Sequence, residues 1–275
     1  GNDTQDIYST AIGYKAGRTS QGKHSIAGGS EAGSTSQGNN SVAFGRLAGS
    51  SSQGANSVAI GFKPGQTSQG VHSIAIGDQA GNDAQSTYSI AIGDQSGKTN
   101  QKQKNIAIGN QAGFSTQGKA NSGDGGFSIA VGNAAGQTDQ NEYSIAIGSN
   151  AGNSTQLDSA IAIGRDAGKI SQSSGTIALG YKSGETTQGA YSIALGTEAG
   201  NSAQGGYAIA IGAEAGEITQ GGSSIALGVR SGYSNQSTNS VAIGREAGKT
   251  SQSSDAVSIG NYLNSGNSGG GQLNQ

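Results

Sequence analysis

The chain has 275 residues, a net charge of −2 and 12% charged residues, with 51 Gly, one Pro, four Phe and no Trp, Met or Cys. That composition excludes a thick core of large apolar side chains, a disulfide scaffold and the basic patch that a phosphate backbone needs, so nucleic acid is not an expected partner. No apolar run approaches the ~18–20 residues of a membrane span, so no membrane insertion is expected. No signal peptide is visible, and because the first residue is Gly and Met is absent, the expected form is a processed chain or a fragment.

Residues 1–4 read as a lead-in. From Gln5 onward one unit recurs, Q-G-x-x-S-I-A-I-G-x-x-A-G-x-x-x, as in Gln69 to Ala84. The Gly that closes S-I-A-I-G falls at 13, 29, 45, 61, 77, 93 and 109, then at 132, 148, 164, 180, 196, 212, 228, 244 and 260. Every step is 16 except one of 23, between Gly109 and Gly132. A short fixed period of this kind specifies a solenoid.

Number each unit from its Gln. Positions 6 and 8 are apolar, as in Ile74 and Ile76 or Ile225 and Leu227, and position 7 is Ala in every unit but the last, which has Ser258. Period-2 alternation in a β-branched run predicts a strand. Gly at positions 9 and 13 brackets it, and so many Gly would cost a helix ~1 kcal/mol each. A second short extended stretch, often Ser and Thr, leads to the next Gln. The expected architecture is all-β: a parallel β-roll or β-solenoid of about sixteen 16-residue coils, with like residues stacked in ladders.

Three expectations about packing follow. Positions 6 and 8 supply the interior, at ~1.5–3 kcal/mol per buried side chain. The Ala ladder at position 7 faces outward, small and flat, and suits packing against a second chain, so a cyclic oligomer is expected. The position-1 Gln forms a side-chain amide ladder at a turn, each amide bonding the next.

Taken along the chain, the first coils are atypical, with Thr10 and Gly28 in place of Ile. Pro64 holds a turn position where a missing N–H is tolerable. A seven-residue insertion falls within 118–126 and reads as a surface loop. Residues 5–263 are expected to form one β-roll domain, and 264–275, rich in Ser, Gly, Asn and Gln, a tail. The roll's end edges must be capped, stacked end to end, or continued in a longer fibre.

No catalytic or metal constellation emerges, and no cofactor is expected. The only histidines, His24 and His72, lie three coils apart, ~14 Å, too far to share a metal. Gly93 to Thr99 and Gly244 to Thr250 mimic a P-loop but are one residue short and precede no helix. Asp78 and Asp94 should stack in adjacent coils as solvated carboxylates. Charges gather at turns, with Lys182, Glu198, Glu214, Arg230 and Glu246 in one ladder. Position 4 carries the candidate ligand-contact residues Tyr8, His24, His72, Tyr88, Phe127, Tyr143, Tyr191 and Tyr207. Such a row can contact sugar rings, since Tyr offers an apolar body with a polar tip, or it can pack against a neighbouring chain.

The S-I-A-I-G and S-V-A-I-G cores with a following x-x-A-G, clearest at Ser57-Val58-Ala59-Ile60-Gly61 and Ser240-Val241-Ala242-Ile243-Gly244, resemble the head repeats of YadA-type trimeric autotransporter adhesins, over about residues 5–263. The tighter form with its Gln is also similar to repeats in surface and fibre proteins of large algal viruses. The resemblance implies a left-handed parallel β-roll, a side-by-side homotrimer, and an extracellular location on a cell or virion surface. The function expected is a non-enzymatic fibre or spike segment that contacts a host cell-surface glycan or receptor. The expected partners are further copies of the chain, side by side and end to end, and that glycan. A purely structural self-assembling filament and an ice-binding solenoid are the alternatives.

Overall fold

The computed structural model describes residues 5–119, 126–261 and 272–273. The chain divides into two compact units, Gly1–Tyr143 and Ser144–Gln275. Each is an all-β parallel solenoid, and the described residues contain no helix.

In the first unit one wall consists of three-residue strands: Thr10–Ile12, Ile26–Gly28, Val42–Phe44, Val58–Ile60, Ile74–Ile76, Ile90–Ile92, Ile106–Ile108 and Ile129–Val131. Each pairs in parallel with the next, Thr10 with Ile26 and Ile90 with Ile106. Across the insertion Ile106 pairs with Ile129, so the seven extra residues leave the wall in register. The facing wall is laddered through Gln, from Gln5–Gln21 to Gln85–Gln101. It widens at Thr99–Gln101, Ser115–Lys119 and Thr138–Asn141 into a three-stranded parallel sheet.

The second unit repeats the plan. Its strand wall runs from Ile145–Ile147 to Val257–Ile259, with Ile145 opposite Ile161 and Val241 opposite Val257. Its Gln wall runs from Gln156 to Gln220, and Gln220 continues the ladder to Gln236 through the pair Ile218–Gln220 and Ser234–Gln236. A two-residue strand, Gln272–Leu273, pairs antiparallel with Val257 and Ser258. The lead-in at 1–4, the insertion's residues 120–125, and 262–271 and 274–275 lie outside the described residues.

The packing reverses the expectation for the strand wall. The position-7 alanines face inward: Ala27, Ala43, Ala75, Ala91, Ala162 and Ala210 are all fully buried. A second inward column, at position 12, includes Ala32, Ala48, Ala80 and Ala199. The large side chains at positions 6 and 8 face out, half-buried at Ile74 and Ile76 and 37–41% exposed at Ile60, Leu179 and Leu227. The cause is the width of the lumen, which must also hold the Gln reaching in from the facing wall. Among the largest fully buried side chains are Gln21, Gln85, Gln117, Gln172 and Gln220. Only a small side chain fits opposite them.

The Gln amides do stack, but their shortest bond crosses the coil. Nε2 of Gln37 donates to Ile26 O at 2.8 Å, Gln85 to Ile74 O at 2.7 Å and Gln204 to Ile193 O at 2.7 Å. Amide-to-amide bonds are longer and occur in some coils, such as Gln101 to Gln117 at 3.1 Å and Gln188 to Gln204 at 3.2 Å. From Gln21 onward the Gln is therefore a strut tying the two walls together, whereas Gln5 donates to Ser9 O, and the expectation of a turn ladder is corrected accordingly.

The strut explains the second Gly of the repeat. Gly17 has φ +51°, and a Cβ there would lie 2.6 Å from Gln21 Oε1 and 3.3 Å from the Ala11 methyl. Left-handed backbone and a filled lumen both demand Gly. Position-9 Gly answers to a different contact: a Cβ on Gly77 would lie 2.5 Å from the carbonyl oxygen of Gly93 in the next coil. Pro64 sacrifices only a weak bond. The equivalent N–H of Ala48 donates to Gly45 O at 3.4 Å, while Pro64 O still accepts from Gly49 N at 3.0 Å.

The insertion has its own anchor. Position 5 is usually Ser, whose buried hydroxyl donates three residues back, as Ser41 does to Gly38 O at 2.6 Å. Asn105 replaces it just below the insertion. Its Nδ2 donates to Gln117 O, and its Oδ1 accepts from Ser128 N, both at 2.8 Å. One amide thereby joins the chain on either side of the loop.

Candidate contact surface

The corner between the Gln wall and the strand wall positions the aromatic row. Each position-4 residue sits in left-handed backbone, with φ 59° at Tyr8, 57° at His72, 60° at Phe127 and 59° at both Tyr191 and Tyr207. Such a φ costs a non-Gly residue roughly 1–2 kcal/mol. It is held by the backbone ladder, in which His72 N donates to Ala55 O at 3.0 Å and Tyr207 N to Ala190 O at 2.9 Å. The reversal turns the side chain outward, leaving Tyr8 79%, Tyr88 57% and Tyr207 65% exposed.

The eight residues form four stacked pairs rather than one continuous patch. In the first unit the pairs are Tyr8–His24 (ring centroids 5.2 Å apart), His72–Tyr88 (5.0 Å) and Phe127–Tyr143 (5.4 Å). In the second unit the pair is Tyr191–Tyr207, also at 5.4 Å. Interplanar angles of 2–22°, with centroid distances near the ~4.8 Å rise between parallel strands, mean that the rings stack along the direction of coil addition. Facing surfaces are therefore covered by one another, and ring edges and hydroxyls point to solvent.

Other faces are also occupied. Lys104 Nζ lies 4.6 Å from the Phe127 centroid. Asn56 Nδ2 is 3.3 Å from His72 Nε2. The Tyr191 ring lies against Gly175, where a Cβ would come within 2.7 Å of its Cδ1. Among the described residues no ring lies on the outer side of Tyr8, and Tyr207 is followed in the row by Ser223, so each keeps an open face.

A second line of rings escaped the sequence reading. At position 10 Arg46 lies over Phe62 at 4.6 Å and Arg165 over Tyr181 at 4.4 Å. The signal was present as Gly-Arg followed one period later by Gly-aromatic-Lys, at Gly45-Arg46 with Gly61-Phe62-Lys63 and at Gly164-Arg165 with Gly180-Tyr181-Lys182.

The turn charges pair along the second unit. Arg230 Nε meets Glu214 Oε2 at 2.7 Å, Lys249 meets Glu246 at 3.3 Å, and Lys182 meets Glu185 at 3.6 Å. Burial pushes the Asp166 carboxyl up, but the Asn150 hydrogen bond and Lys169 outweigh it and hold the group below its ordinary value. Burial raises Glu217, reinforced by the negative charges of Glu198 and Glu214. In the first unit Asp94 accepts from Asn110 Nδ2 at 2.9 Å, and Asn110 in turn accepts from Asn133 at 2.9 Å, so this carboxylate belongs to an amide ladder. Among the described residues no three His, Cys, Asp or Glu side chains gather as a metal site would require. The stretch Gly93 to Thr99 runs from an ordinary turn into the Gln wall.

A family model described as the YadA head domain repeat (2 copies) matches residues 36–63, 68–96 and 172–199. Each match takes in two successive wall strands, for example Val42–Phe44 with Val58–Ile60. No curated protein and no solved structure matches the chain.

Proposed function

Because the chain carries YadA-type head repeats, we propose that it is the head segment of an adhesin-like protein displayed outside the cell, on a cell or virion surface, and that it acts by contact rather than by catalysis. The observation that supports this best is the outward apolar wall. Ile60 and Ile108 on the wall of the first unit, and Ile147, Leu179, Leu195 and Leu227 on the wall of the second, are 37–41% exposed. Parallel sheets are normally covered on both faces, and contiguous exposed apolar patches beyond a few hundred Å² mark interaction sites. In this reading three copies bury these walls on one another around a closed axis, the number three following from the YadA likeness. The Ile, Val and Leu wall takes the interface role that the sequence had suggested for Ala.

The aromatic corner then meets the ligand. Tyr8 and Tyr207 offer a ring face to a sugar, His24, His72, Tyr88, Tyr143 and Tyr191 offer edges and polar tips, and Phe127 offers an edge. Two measurements test the reading. Light scattering on the intact chain should give three times its 26.9 kDa mass, and a monomer would defeat the assembly. On a glycan array the intact chain should bind and the Tyr8→Ala/Tyr207→Ala double variant should lose that binding. Mass that keeps growing with concentration would favour a structural filament, and thermal hysteresis would favour ice binding.

A further inference from the structure

We propose that the strand Gln272–Leu273 is a plug on the last coil of the second unit, and that it keeps a second copy of this chain from stacking on that edge.

Three features set this coil apart from those before it. The amide of the position-13 Gly ordinarily donates to the next coil's position-12 carbonyl, as Gly232 N does to Ala247 O at 2.9 Å. Gly248 N donates to the hydroxyl of Ser258 at 3.0 Å. Ser258 is the one residue that replaces Ala at position 7. A donor belonging to the coil below is thus satisfied by a side chain that only the last coil carries. Second, the last strand's free edge is paired antiparallel, Val257 with Leu273 and Ser258 with Gln272, whereas the other strands of this wall pair in parallel, as Val241 does with Val257. Third, among the described residues the Gly contact stops: a Cβ on Gly244 would lie 2.2 Å from Gly260 O, but one on Gly260 would meet no described atom within 4 Å.

An unpaired strand edge of this pattern is a template for another chain. The occupant that fits it is the first coil of a second copy. Thr10–Ile12 has the same wall pattern, pairs with Ile26–Gly28 on one side, and leaves Ile7, Ile12 and Tyr14 59–70% exposed. Pairing in parallel with Val257–Ile259 would continue the wall. A strand running the opposite way cannot be followed by a further parallel coil in the same register, so the plug ends the ladder.

The test compares the intact chain with two variants, one ending at Asn261 and one of full length carrying Gln272→Pro and Leu273→Pro. The expected result in both is amide exchange at Val257 to Ile259 faster by about tenfold or more, with protection at Ala146 to Ala242 unchanged. Sedimentation over a concentration series should show both variants growing by whole multiples of the intact chain's assembly. Unchanged exchange at 257–259 overturns the plug, and faster exchange without growth overturns its role against stacking. The side-by-side trimer is read from the mass of the intact chain alone, so failure of that reading and failure of this one are separate outcomes.

Discussion

The two walls of the coil solve the same problem with opposite chemistry. The strand wall sends its smallest side chain inward and its largest outward, Ala75 between Ile74 and Ile76. The Gln wall sends its largest inward, with Gln69 and Gln85 only 2–3% exposed. A methyl on one side leaves room for a five-atom amide on the other, and the amide's donor reaches the facing backbone. Inside the coil, then, a hydrogen-bonding strut does the work usually given to branched aliphatics. Those aliphatics are displaced to the outside, where they stay half-buried at best within one copy. The comparison teaches that filling the lumen and forming the outer apolar surface fall to alternate residues of the same three-residue strand.

The largest effect should come from reversing this division. Ala91→Leu forces a branched side chain into a filled lumen and should cost about 3 kcal/mol. Ile90→Ala, one residue away on the outer face, should leave the isolated chain within ~1 kcal/mol while weakening assembly. Denaturant midpoints and solution mass, measured together, separate the two, and equal losses of stability would break the comparison.

Asn105→Ala tests whether a wall can be mended by one side chain where the insertion interrupts it. Two buried hydrogen bonds disappear, at Gln117 O and Ser128 N, and a loss of roughly 2 kcal/mol is expected. Asn105→Ser should not restore it, because a hydroxyl is too short to span both groups. Hydrogen exchange at Ser128 should report the opening directly.

Gln85→Leu keeps much of the volume but removes the strut to Ile74 O. The expected loss is about 1–2 kcal/mol, and a neutral or stabilising result would mean that the lumen needs only filling. The smallest effect belongs to Glu217→Gln. Burial and the neighbouring Glu198 and Glu214 raise this carboxyl, so its ionised form is disfavoured in the folded state. Stability is lost as pH rises through the raised value. The variant should therefore be slightly more stable than the parent at neutral pH and no different once the parent is protonated. Thermal unfolding at two pH values checks the sign.

Much of this was legible in the sequence because stacking copies the period into space. The 16-residue repeat located the wall strands, and the single step of 23 located the place where Ile106 pairs with a strand 23 residues on, Ile129. The Gln column was legible as a ladder but not as a strut, since its main partner, the carbonyl eleven residues earlier, carries no side-chain signature. Asn105 is the one Asn at position 5, a departure the repeat alone does not explain, because its role depends on Ser128, 23 residues away. The aromatic row was visible as a composition. Its division into stacked pairs, with most faces covered, follows from the distance between coils.

By itself the sequence determined the fold class, the register and the residues on each edge, because a fixed period permits only one way of laying equivalent residues over one another. Alternation of apolar residues, however, is equally satisfied by either face turning inward. Only the tertiary structure decided between them, through the width of the space between two walls and the Gln side chains that already occupy it.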